Sequence, residues 1–345
     1  MSLNNCYDSA GYRIYFRVFT EEDAEYIMEV INKIYMIWGD KCGRFPFSNS
    51  LYIDDKIKII IDTGAGYHKY TEFNGEIDLI INSHYHLDHI RYNYLFSNAE
   101  IIIHESDISA MQDLNKFAKT YGGELAFGSE WIDKWEKEIS SQANKHSSQG
   151  FVYESEYFKS IGKVHNTYSS GDKVSCGNII FEIVHTPGHS AGHCSFFFPE
   201  QNLCFATDYN VGGSFGPWYG GEDSDIDLLI QSAKKLIDLD AKYYINSHDQ
   251  QIYYKKDFST KLEEFLEVIE VREKQILDLI EKGYSVKELC SEGIIYSKKY
   301  LYLEWVKIWE TVMIIKHLNR LEKKGILMSP LTNSDGGILT DNWRL

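Results

Sequence analysis

A chain of 345 residues with 43% hydrophobic and 25% charged side chains can bury a core without disulfide or metal staples, which excludes a wholly disordered protein. Its 51 acidic against 35 basic side chains leave a formal charge of −16 with no concentrated basic patch, so nucleic acid is disfavoured as a partner. No window approaches the roughly 20 apolar residues of a membrane span, the N-terminus has no basic-then-apolar export signal, and the six cysteines form no Cys-x-x-Cys pair, so the expectation is a cytoplasmic protein with reduced thiols and no membrane partner.

Residues 12–19 alternate apolar with polar side chains and predict a first strand. Thr20 followed by Glu21, Glu22 and Asp23 has the chemistry of an N-cap, and Ala24, Ile27, Met28, Ile31 and Ile34 keep helical spacing, predicting a helix to about Met36. Strands are predicted over 49–53 and 56–61, joined across Asp54-Asp55 as a two-residue hairpin. The second ends in Asp62-Thr63-Gly64, where the carboxylate either caps the loop or takes part in chemistry. Next, the apolar run 76–82 opens into Ser83-His84-Tyr85-His86-Leu87-Asp88-His89. Side chains two apart in an extended segment point the same way, so His84 and His86 address one point, and the following turn carries Asp88 and His89 to a second. Imidazole nitrogen and carboxylate oxygen in such density suit zinc, iron or manganese.

A short helix over 92–96, a buried strand over 100–104 and a helix over 105–113 follow. Residues from about 114 to 165 are polar and aromatic with weak periodicity; they read as an inserted helical cap and a candidate lid. Strands are predicted at 173–176, 178–184, 194–198 and 203–206. The second of these runs into His185-Thr186-Pro187-Gly188-His189, and the last into Thr207-Asp208-Tyr209. An aromatic, glycine-rich loop over 211–221 precedes a helix over 224–237, and a strand over 243–246 ends at Ser247-His248-Asp249. The recurring device is a ligand-type residue at a strand end. From about Lys255 the composition changes to helices over 258–281, 286–290 and 301–324, the last stopped by Gly325, so a division into 1–255 and 256–345 is expected.

In these motifs the chain resembles the metallo-β-lactamase superfamily over roughly residues 12–255. The resemblance rests on H-x-H-x-D-H at 84–89, T-P-G-H at 186–189, Asp208 and His248 at later strand ends, and D-T-G at 62–64. It implies an α/β fold, a four-layer αββα sandwich with the helical cap inserted, followed by C-terminal helices that loosely resemble the winged-helix appendage of some relatives. It also implies two divalent ions, zinc first with iron or manganese as alternatives. His84, His86 and His189 would hold one, Asp88, His89 and His248 the other, and Asp208 would bridge them, with His185 and His193 in support. A water between two such ions loses a proton near neutral pH, and the hydroxide attacks while Asp88 or Asp208 guides the proton to the leaving group.

One departure stands out: Arg91-Tyr92 follows the motif where relatives carry two glycines. These long side chains either narrow the cleft and bind a substrate anion, or Arg91 pairs with an acid. Arg91, Tyr209, Phe215, Trp218 and Tyr219 are candidates for the substrate pocket, with core packing as the alternative for the aromatics. The activity implied is hydrolysis of a small ester, thioester or lactone, with a small-molecule partner and a homo-oligomer allowed. A phosphodiesterase or nuclease using the same ligands, a di-iron redox or gas-binding protein, and a non-catalytic ligand sensor are the alternatives.

Overall fold

The computed structural model describes residues 5–7, 13–15, 27–73, 76–133, 135, 137 and 158–328. In its seven-stranded sheet, β3 (Ile27–Ile31), β4 (Ile34–Ile37), β5 (Ser50–Asp54) and β6 (Lys58–Ile61) run antiparallel, and β7 (Leu79–Asn82), β8 (Glu100–His104) and β9 (Asn166–Tyr168) continue in parallel. The six-stranded sheet runs antiparallel through β10 (Lys173–Ser175), β11 (Ile180–His185), β12 (Cys194–Phe198) and β13 (Leu203–Phe205); β14 (Tyr243–Ile245) joins in parallel, and β15 (Tyr253–Tyr254) closes the edge. A separate ladder pairs β1 (Asn5–Tyr7) with β2 (Arg13–Tyr15).

Successive strand residues point to opposite faces, so each strand serves two cores. Ile59, Ile61 and Ile81 of the first sheet meet Phe181, Phe196 and Ile245 of the second, all buried. The intervening Ile60 and Ile80 turn outward onto Tyr70 and Phe96. On the outer face of the second sheet, Cys204 and Tyr244 pack under α5 (Ile226–Asp238) and α6 (Lys255–Glu281). The layers therefore run helix, sheet, sheet, helix, the αββα order expected from the sequence. Between β7 and β9 the chain inserts α1 (Leu87–Ile90), α2 (Ile108–Gln112), α3 (Leu114–Thr120) and α4 (Gly123–Phe127). The last two fall in the stretch expected to form a cap, of which 134, 136 and 138–157 lie outside the described residues.

After α6, a reciprocal Ser285–Glu288 capping box starts α7 (Val286–Glu292). Helix α8 (Glu304–Lys323) is buried on more than one side. Ile308 and Val312 pack against Phe117 and Trp131, while Met313 and Leu321 share a core with Phe265 and Ile269 of α6. From residue 329 the chain lies outside the described residues, and so does any wing that would follow these helices.

Two local expectations are corrected. The helix expected from Thr20 to Met36 is replaced, over its described part, by the β3–β4 hairpin, because Asn32 and Lys33 both take positive φ and form a two-residue turn. Isoleucines at 27, 31 and 34 satisfy both periods, and pairing with β5 decides for strand. The Asp54-Asp55 turn is also longer than expected, since Asp54 pairs with Lys58. Asp55 is drawn away to accept from the Asn178 and Ile179 backbone N–H groups, at 2.5 and 2.9 Å.

Candidate metal centre

The ligand-type residues stand where strands end. β7 stops at Asn82, His84 and His86 lie on the turn that follows, and Asp88 and His89 lie on α1. His189 arrives after β11, Asp208 after β13 and His248 after β14.

Four of the histidines are tied by Nδ1 to an oxygen. His89 Nδ1 donates to Asp62 Oδ2 at 2.8 Å, His189 Nδ1 to the Trp218 carbonyl at 3.1 Å, and His248 Nδ1 to the Gly43 carbonyl at 2.6 Å. Ser83 Oγ gives its own proton to Asp62, so it accepts from His84 Nδ1 at 2.9 Å. These partners turn Nε2 of all four inward, where a ligand can take it once any proton is displaced. The donor atoms converge. His86 Nδ1 is 2.9 Å from both His84 Nε2 and His189 Nε2, a crowding that one proton relieves in only one direction. His89 Nε2 and Asp208 Oδ1 stand 3.0 Å apart without the alignment of a hydrogen bond, and both are buried and unpartnered, as is His86 Nε2. A donor set of this kind fits divalent metal.

Two groups emerge. Donor atoms of His84, His86 and His189 lie within 4.8 Å of one another, as do those of Asp88, His89 and His248. Asp208 reaches both, with Oδ2 3.0 Å from His189 Nε2 and 3.3 Å from His248 Nε2. His193 also lies close to His84 and Asp208. Its nitrogens are taken, however: Nδ1 donates to the Thr186 carbonyl at 2.9 Å and Nε2 pairs with the Thr207 hydroxyl at 2.8 Å. His185 is farther off, stacked on His104.

Protonation divides the groups. Burial, then neighbouring imidazoles, hold His84 and His86 well below the usual histidine value, as neutral ligands require. Burial also lowers His248, but Asp208 and Asp88 outweigh it and push the ring up to about 9; Asp208, Asp62 and Asp88 raise His89 in the same way. Burial alone would raise Asp208, yet His89, His248 and His189 hold it well below the carboxylate range. Without metal the second group keeps protons that a cation must displace.

Supporting residues fix this geometry. Asp62, at φ 61°, accepts from Ser83 N at 2.7 Å as well as from His89, so its carboxylate is engaged in holding the segment that carries His84 and His89. A Cβ on Gly64 would fall 1.6 Å from the Asp88 carbonyl, so only glycine allows the D-T-G turn to lie against α1. Behind His189, Asp107 accepts from Ser190 Oγ at 2.8 Å and Gly192 N at 2.5 Å, while Asp223 accepts from Tyr85 OH and Ala191 N. Burial and Asp223 push Asp107 up to about 8.

Above the ligands opens a cavity of about 330 Å³ with His86, Asp88, His189, Asp208 and His248 in its floor. Trp218 forms the adjoining wall, edge-on to His86 with ring centroids 4.8 Å apart. Of the other residues expected to meet substrate, Phe215 also lines the cavity, but Arg91, Tyr209 and Tyr219 do not. The Arg91 guanidinium lies over the Phe47 and Tyr92 rings, so Arg91-Tyr92 packs beside the site without narrowing it. The Tyr209 hydroxyl donates to the Leu229 carbonyl, and Tyr219 is held by His317 and Arg272. Sequence reasoning missed Phe45, Phe117, Tyr121, Tyr296, Trp305 and Trp309, all in the lining. The four-residue spacing of Trp305 and Trp309, one face of a helix, was the available signal.

The family profile described as Metallo-beta-lactamase superfamily matches residues 43–248. A hydroxyacylglutathione hydrolase of Chelativorans sp. (strain BNC1) is 31% identical over 71 residues, 21% of this chain and 27% of that protein. The lactamase-like protein adaB of Aspergillus niger is 24% identical over 268 residues, 74% of this chain and 67% of that one. The chain spans about a quarter of the length of the first curated relatives it matches, 24% of one and 27% of the other. Among solved structures, a beta-lactamase domain protein from Burkholderia ambifaria superposes with a TM-score of 0.63 at 14% identity, covering 90% of this chain and 92% of that one.

Proposed function

Since the chain belongs to the metallo-beta-lactamase superfamily, we propose that it is a metal-dependent hydrolase of a small ester, thioester or lactone, working with two divalent ions, zinc foremost. The observation that carries this reading is the convergence of two donor groups and a shared Asp208 on the floor of one apolar cavity. The likeness to a hydroxyacylglutathione hydrolase supports the thioester member of the set. Bound metal supplies Lewis acidity and a source of hydroxide at neutral pH.

In this reading His84, His86 and His189 hold one ion and Asp88, His89 and His248 the other, with Asp208 between. His84 and His86, held well below the usual histidine value, and His89 and His248, held above it, make the second the weaker, more acid-sensitive position. Asp88, 7% exposed and in the cavity floor, is placed to carry a proton to the leaving group. Trp218 shields the His86 and His189 rings from water. We assign the chemistry to residues 1–255, with 256–345 as a helical unit that completes the cavity and 114–165 as its cover. Five unpaired thiols among the described residues support a reducing, cytoplasmic setting. No helix among those residues is long and apolar enough to cross a membrane.

The test is a panel of esters, thioesters, lactones and bis-phosphodiesters, run with metal analysis beside His86→Ala. Hydrolysis of a carbonyl substrate by the wild type, abolished with loss of metal in the variant, is the expected result. Preference for a phosphodiester would move the assignment to phosphoryl transfer.

A further inference from the structure

We infer that the substrate carries a bulky apolar or aromatic acyl group, gripped through Trp305 and Trp309 of the C-terminal helix α8; this rests on the hydrolase reading above. Charge comes first. Apart from the floor residues, the cavity lining among the described residues holds one charged side chain, Arg44, and that residue is exposed. A polyanionic leaving group or a phosphate chain finds no set of cations there, and a strongly polar acyl group would leave its hydrogen bonds unmade against these walls.

What the cavity offers is rings in sequence. Trp218, beside His86, meets Trp309 edge-on at 5.4 Å; Trp309 meets Trp305 at 4.8 Å; and Trp305 meets Phe45 at 5.7 Å. They lead from the cavity floor outward, from Trp309 at 6% exposure to Phe45 at 39%. At about 330 Å³ the space suits a medium-chain or monocyclic acyl group.

The wall is also braced. Arg272 of α6 donates to the Phe215 and Pro217 carbonyls at 2.5 and 2.7 Å, holding the loop that carries Trp218. Buried Glu310 of α8 accepts from Ile294 N and Tyr296 N, both at 2.7 Å, and Tyr296 OH in turn accepts from Trp218 Nε1 at 3.0 Å. Rings fixed before binding need not be ordered by the substrate, which is what selection by shape requires.

The experiment uses full-length, metal-loaded protein and aryl esters from acetate to octanoate. kcat/KM is expected to climb about threefold or fourfold per added methylene until the cavity is full. Trp309→Ala and Trp305→Ala should lower the octanoate-to-acetate ratio about tenfold, chiefly through KM, with metal content retained. Trp309 is buried and its variant carries a folding risk, so Phe45→Ala at the rim is the second arm, with a smaller drop in the same ratio. A flat chain-length profile, or an unchanged ratio in folded Trp305→Ala and Phe45→Ala, overturns the inference. Should the wild type hydrolyse nothing in the panel, the hydrolase reading falls separately. Calorimetric titration with octanoate then decides the cavity: saturable binding weakened in both variants supports the apolar site, and no binding in the wild type overturns it.

Discussion

The floor and the wall of the cavity are built by opposite rules. Around the floor, four histidines are fixed twice, toward the shared centre and toward an oxygen behind them, as His89 is between Asp208 and Asp62. In the wall, Trp218, Trp309 and Trp305 meet through ring edges, and their placement depends on helices that share a core with the second sheet. The floor lies within 43–248, the stretch matched by the family profile, whereas Tyr296, Trp305 and Trp309 lie beyond it. On the proposed reading, chemistry would be encoded by residue type at fixed strand ends, and selectivity by the shape of a later segment that the chemistry does not constrain.

The comparison breaks first at Asp208, where the largest effect is expected. Asp208→Ala should lose one of two metals and bring turnover to background, because this carboxylate alone approaches both donor groups. Metal analysis beside the ester panel reads both quantities, and two metals with full activity would falsify the bridging role. Asp62→Ala comes next. Releasing His89 and Ser83 should weaken metal binding by about 10- to 100-fold, while the octanoate-to-acetate ratio of the metal-saturated variant stays near wild type. A changed ratio would mean that floor and wall are not separable.

How legible each part was follows from the same contrast. That 84–89, His189, Asp208 and His248 converge could be read directly, because His and Asp recur at strand ends and strand ends bring distant stretches together. The αββα layering came only with the motif resemblance; runs such as 59–61, buried on both faces, fit it but name no layer order by themselves. The β3–β4 hairpin was not, because Ile27, Ile31 and Ile34 fit either period and the turn at Asn32-Lys33 carries no glycine. Arg91 and Tyr219 were misplaced for a related reason. Adjacency to a ligand says nothing of direction, and both side chains turn into packing against Phe47 and Arg272. Trp305 and Trp309 carry no chemical signature at all, and only the tertiary docking of α8 brings them to the cavity.

Acidity offers a third way to separate the regions. In the metal-free protein His248 is raised from 6.5 to about 9, so its protonated form beside Asp208 favours the folded state. That contribution is fully present below about 6.5 and lost as pH rises through about 9. Melting temperatures of chelator-treated protein should therefore fall across that window. Metal-saturated protein, where the cation has displaced the proton, should lack this slope. His248→Gln should reduce it in the metal-free form, the raised His89 keeping its own share, whereas Trp305→Ala should leave it intact, since no raised histidine belongs to the wall.

The smallest effect is expected where the two regions join. Arg272 is 3% exposed and spreads its guanidinium over the Phe215 and Pro217 carbonyls and the Tyr219 hydroxyl. Lysine at that position keeps the charge but not the planar fork, so Arg272→Lys leaves at least one of those oxygens without its donor. The expected cost is about 1–3 kcal/mol in stability, with metal content unchanged because no metal-facing donor group is touched. Trp218 rides on the same loop, so the octanoate-to-acetate ratio should fall a few-fold while His189, whose Nδ1 donates to the Trp218 carbonyl, keeps its metal. Should metal be lost together with selectivity, the loop over 211–221 would belong to the floor as much as to the wall, and the Trp218 carbonyl would be the atom through which substrate choice and metal retention are coupled.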